Sequence, residues 1–152
     1  MKNYLLLVLV LFIGFSCKKN TSNSSNNSTS NPVVTTFSID GKTVSNLSHS
    51  SFASDSTHYG VIAYGANANP EIQIIFSGTV TPAAGTYQIT NGSVTFAKCS
   101  VTLSDTGYSY IASSGYLNVT TSATAPDNTV SFNNIAVNGS AGHHTVSGTI
   151  TY

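Results

Sequence analysis

Apolar and polar residues alternate with a period of two along most of this chain, the repeat of a strand with one face covered. Glu71 to Ser77 is the clearest case: Ile72, Ile74 and Phe76 fall on one face, and Glu71, Gln73, Ile75 and Ser77 on the other. Val33 to Ile39 and Lys42 to Leu47 flank Asp40-Gly41, a pair suited to the positive φ angles of a two-residue hairpin. Further strands are predicted at His58 to Gly65, Thr86 to Thr90, Val94 to Leu103, Tyr108 to Ala112, Gly115 to Ala123, Val130 to Val137 and His144 to Tyr152. Ala66 to Pro70, Pro82 to Gly85, Asn91-Gly92 and Asp105-Thr106-Gly107 punctuate them, and Asn91-Gly92 is read as a hairpin. The apolar parity switches near Ala97-Lys98 and again at Asn133-Asn134. An extra residue in one strand of a pair produces such a switch, and so does burial of both faces.

About nine or ten short strands with tight turns, and no helical period beyond the N-terminus, define an all-β domain. An antiparallel β-sandwich is the preferred arrangement, and a small β-barrel is the alternative.

The first residues break the alternation. Lys2 precedes an almost wholly apolar run from Tyr4 to Phe15. That run is shorter than the ~20 residues a membrane-spanning helix needs. A basic start, a short apolar core and a small residue, Ser16, before Cys17 make the pattern of an export signal. Gly14-Phe15-Ser16-Cys17 resembles the lipobox of bacterial lipoprotein signals. The resemblance implies cleavage before Cys17, a diacylglyceryl group on its thiol and a membrane partner reached through lipid. Residues 1–16 are then the signal, 17–32 the lipidated Cys17 and its tether, and 33–152 the β domain. After Lys18 and Lys19, the stretch to Pro32 is Ser, Asn and Thr with no large apolar side chain, so it cannot offset its ordering entropy by burial. A flexible tether of this length spans ~20 Å.

Composition narrows the partners. Charged residues make up 7% of the chain. From Val33 onward, Lys42 and Lys98 stand against Asp40, Asp55, Glu71, Asp105 and Asp127, which leaves nucleic-acid binding no electrostatic basis. Cys99 has no internal partner once Cys17 carries lipid, and it reads as a small buried hydrophobe within a strand.

Three short stretches, Phe37 to Lys42, Gly85 to Ile89 and Ser147 to Tyr152, resemble a small family of β-rich Bacteroidota lipoproteins. The resemblance implies an envelope location, with the outer membrane favoured, and carries no catalytic residues. Asp55-Ser56-Thr57 resembles the acceptor triplet for O-glycosylation in that group, with Ser56 as acceptor.

No catalytic set emerges. Asp40, Asp55, Asp105 and Asp127 sit in turn-like settings that favour Asp for backbone reasons. His49, His58, His143 and His144 lack metal-ligand spacing, and no nucleotide or flavin fingerprint occurs. No metal, cofactor or catalytic residue is therefore expected. Tyr59, Tyr64, Tyr108, Tyr110 and Tyr116 are the candidate binding patch, because Tyr pairs an apolar ring with a polar tip. The expectation is a non-catalytic binding or structural module in contact with a glycan or an envelope protein. A barrel carrying a small apolar ligand is the alternative.

Overall fold

The computed structural model describes residues 34–122 and 128–152. The expected signal, Cys17 and the expected tether lie outside the described residues, as do Ala123 and Asp127. Eleven strands follow in order: β1 Thr36–Ile39, β2 Lys42–Thr43, β3 Ser48–Ala53, β4 His58–Tyr64, β5 Glu71–Ser77, β6 Gly85–Ile89, β7 Lys98–Asp105, β8 Tyr108–Ala112, β9 Tyr116–Thr120, β10 Thr129–Gly139 and β11 Gly142–Thr151. A 3₁₀ turn, Ala66–Ala68, precedes β5.

The architecture is all-β, and of the two forms weighed it takes the barrel. β10 is long enough to hold two partners along one edge: β9 against Thr129 to Phe132 and β8 against Val137 to Gly139. β7 does the same, with β6 at Lys98 and Cys99 and β8 from Thr102 to Asp105. Since β6 also pairs with β9, the order β10–β9–β6–β7–β8 returns to β10 and closes a five-stranded ring. Two wings extend from it. β5, β4 and β3 continue outward from β7, while β11, β1 and β2 continue from β10.

Side-chain alternation places the core. Leu117 and Val119 of β9, Cys99, Val101 and Leu103 of β7, and Tyr87 and Ile89 of β6 are buried, as are Val130, Ile135 and Val137 of β10. The wings add Phe37, Val61, Ile72, Ile74, Phe76, Val146 and Ile150. Fully burying one such side chain contributes about 1.5–3 kcal/mol. Tyr59 of β4 packs at 6.3 Å from Tyr152, and Phe76 meets Tyr87 edge-on at 5.0 Å. The wings are also tied by Thr35, whose hydroxyl lies 3.0 Å from His49 Nδ1 and accepts from Thr151 N–H at 3.0 Å.

Three local expectations need correction. Asn91-Gly92 does not make a hairpin: β6 and β7 run parallel, so the chain must travel from the end of one to the start of the other. Val94 to Ala97 consequently belong to the connection, with Phe96 87% exposed, and the parity switch at Ala97-Lys98 marks the start of β7 rather than a bulge. β3 arises in Ser48–Ala53, where polar residues hid it. It is an edge strand that needs only backbone pairing with β4. The second switch is a true irregularity. The β10–β11 register shifts between Phe132 and Ile135, and Asn134 adopts φ 52°.

Candidate functional sites

Barrel closure turns one face of β6, β9, β10, β11 and β1 outward as a continuous surface. Successive cross-strand partners place Thr86, Asn118, Ser131, Thr149 and Thr36 in one row. Directly opposed residues of paired strands share a face. Tyr116 lies opposite Gln88, and Ser147 opposite Ser38. At the bulge Ser147 Oγ donates to Asn133 Oδ1 at 3.1 Å and accepts from Asn134 N–H at 2.9 Å, so β10 and β11 stay joined where their ladder is irregular. Thr86 Oγ1 donates to Asn118 Oδ1 at 2.7 Å. A groove of about 410 Å³ crosses this face, bordered by Tyr116, Asn118, Ser131, Asn133, Ser147 and Thr149. Among the described residues no charged side chain lines it, and the Tyr116 ring is 64% exposed.

A second groove, of about 470 Å³, lies where the β1–β2 turn, the segment through Ser45, the Ala66–Ala68 turn and the β7–β8 turn converge. Here Asp40 Oδ2 is 2.7 Å from His144 Nδ1, and Asp40 Oδ1 accepts from Thr145 N–H at 2.8 Å. The hydrogen bond from His144, then that from Thr145, holds the Asp40 carboxyl below its ordinary pKa. Tyr110 packs edge-on to the His144 ring at 4.7 Å. Lys42 and Asp105 also line this groove.

The predicted tyrosine patch separates into different environments. Tyr110 is 3% exposed and belongs to the core, so it is withdrawn from the binding surface. Its parity partner Tyr108, the first residue of β8, is exposed, because it borders the β7–β8 turn at the edge of the core. Tyr59 and Tyr64 are half-buried, with Tyr59 packed against the core. Tyr116 alone of the five lines a groove given above. Its neighbours there, Ser147 and Thr149 on β11 among them, are ordinary polar strand residues in the sequence and become a site only through the pairing of β9, β10 and β11.

The remaining candidates are distributed. Asp55 closes the β3–β4 turn: its Oδ1 accepts from Thr57 N–H at 2.6 Å and Thr57 Oγ1 at 2.8 Å, and its Oδ2 is 2.8 Å from His58 Nδ1. The Thr57 hydroxyl, with His58 and the Thr57 N–H, lowers the Asp55 pKa to about 2. Ser56 is exposed in the same turn. Among the described residues no three His, Cys, Asp or Glu side chains gather to hold a metal. Cys99 is fully buried, and burial pushes its thiol up to about 12, which fits the small-hydrophobe reading.

Comparison with protein-family models, with curated proteins and with solved structures finds no match.

Proposed function

We propose that this chain is a lipid-anchored envelope protein whose β domain is a non-catalytic binding module for neutral glycans. The observation that carries the binding reading is the uncharged groove beside Tyr116. An exposed ring supplies a flat apolar platform, and the surrounding hydroxyls and amides supply donors and acceptors without ionic desolvation. That combination matches a sugar ring, which has apolar faces and a hydroxylated rim. Strand-borne side chains also lose little freedom on binding. The anchor, the envelope address and the kinship with β-rich Bacteroidota lipoproteins rest on the sequence, above all on Cys17 after its short apolar run. The carrier alternative gains no support from the ring. Eight strands leave an interior just wide enough for side chains, and five make a narrower one.

The test is calorimetric titration of the full chain in detergent with a panel of neutral oligosaccharides. Binding by at least one, weakened about tenfold (~1.4 kcal/mol) in Tyr116→Ala, is expected. Unchanged affinity in the variant, or no binding across the panel, defeats the glycan reading. Cys17→Ser is expected to move the protein from the membrane fraction to the soluble fraction. Equal fractionation of the two would remove the anchor.

A further inference from the structure

We infer that the groove beside Lys42 and Asp105 is a second ligand site, separate from the Tyr116 face, and that it takes a small amino-acid-like zwitterion. The described residues include six Asp, Glu or Lys side chains, and Asp40, Lys42 and Asp105 line this one groove together with His144. In a surface built almost wholly from Ser, Thr and Asn, that is a strong local concentration of charge.

The charges divide into used and unused. Asp40 is committed: it holds His144 and caps Thr145 N–H. Asp105 is half-buried, yet among the described residues its carboxylate has no hydrogen-bond or ion-pair partner. An Asp at the start of a tight turn ordinarily binds a backbone N–H within that turn. Among the described residues no such bond forms at Asp105, and Thr106 N–H goes to Asn69 Oδ1 at 3.2 Å, which anchors the turn without using the Asp105 oxygens. The Lys42 ammonium is exposed and equally unpartnered. Ile39, Val44 and Pro70 supply apolar wall.

Charge balance selects the ligand. A simple anion would meet Lys42 but also two carboxylates, and a simple cation would meet the carboxylates but also Lys42. A molecule with both an ammonium and a carboxylate on a short apolar body satisfies Asp105 and Lys42 together. The groove volume of about 470 Å³ lies within the ~300–1,000 Å³ range of small-molecule sites. The rim is also costly to build. Ala68 and Thr106 hold left-handed backbone, with φ of 57° and 46°, and adjoin Asn69 and Asp105 on the groove wall. Such conformations are disfavoured for a β-branched residue such as Thr106 and gather at sites whose shape is held for use.

The test is an NMR titration of the isotope-labelled full chain in detergent with dialanine, N-acetyl-dialanine and dialanine amide. Dialanine is expected to shift the amide signals of Asp105, Thr106 and Lys42 in a saturable way, and either blocked form to bind about tenfold more weakly. Asp105→Asn and Lys42→Met are each expected to weaken dialanine about tenfold, with Tyr116→Ala unchanged. Among the described residues neither altered side chain makes a hydrogen bond, and preserved amide spectra will verify that the variants fold. Absence of any dialanine-induced shift, equal binding of the blocked forms, or wild-type binding in both variants would each overturn the proposal. None of these outcomes bears on the glycan face, because its residues are different.

Discussion

Asp55 shows how much one carboxylate can organise in a loop. It accepts from the Thr57 backbone and hydroxyl and faces His58 Nδ1, and so adds side-chain bonds to a β3–β4 turn that Ser54 N–H also closes onto the His58 carbonyl at 2.8 Å. Its folded pKa of about 2 lies below the ordinary value of 3.8. A depressed folded pKa means that the ionised form favours folding. The contribution is fully present above 3.8 and is lost as pH falls through about 2. Thermal midpoints of wild type and Asp55→Asn, followed from neutral pH into acid, should therefore differ at neutral pH and converge as pH drops below about 2. A constant difference across that window would assign the Asp55 effect to something other than its charge. The turn-forming roles of Asp40 and Asp55 were legible from the residues alone. Asp40 binding His144, 104 positions away in the chain, was not, because the pairing depends on β1 lying beside β11.

At the scale of elements, β10 is the strand on which closure turns. Its partners change from β9 to β8 along one edge, while β11 follows the other edge throughout. The bulge at Asn133-Asn134 lies between those two stretches. A bulge bends its strand and raises its twist, which a strand shared by two parts of a closed ring requires. Asn tolerates the left-handed φ of 52° at position 134, and a β-branched residue does not. Asn134→Val is expected to cost about 1–2 kcal/mol in denaturant unfolding, whereas Asn134→Gly stays near wild type. Equal losses in both variants would move the requirement from the backbone to the Asn side chain. The parity switch revealed this irregularity in the sequence. A similar switch at Ala97-Lys98 had a different cause, since parity alone cannot distinguish a bulge from a strand that has not yet begun.

Across the whole molecule, the ring ties together strands far apart in sequence, and its weakest visible seam is the two-residue parallel pairing of β6 with β7. Cys99 sits at that seam, fully buried, with Sγ 3.8 Å from the Gln88 carbonyl. Its raised pKa and lack of exposure make it a reporter of opening. A thiol reagent at neutral pH is expected to leave Cys99 unlabelled in the native protein. Labelling should rise along the same denaturant curve as loss of β-structure, measured by circular dichroism. Fast labelling without denaturant would place the seam outside the cooperative unit.

The local periodicities of this chain were enough to establish an all-β domain, the inward faces of β5, β9 and β11, the Asp40-Gly41 turn and the burial of Cys99. These features depend on neighbours within a few residues, where alternation and turn chemistry act directly. Closure into a ring, the parallel run of β6 beside β7, the edge strand β3 and the joining of Asp40, Lys42, Asp105 and His144 in one groove came from the fold. Each depends on contacts between distant segments, and cross-strand pairing is a backbone interaction that leaves little mark on side-chain identity. The same reason separates the tyrosines: equal parity in β8 placed Tyr108 and Tyr110 on one face, but where the strand began and what packed over it decided which of them meets water.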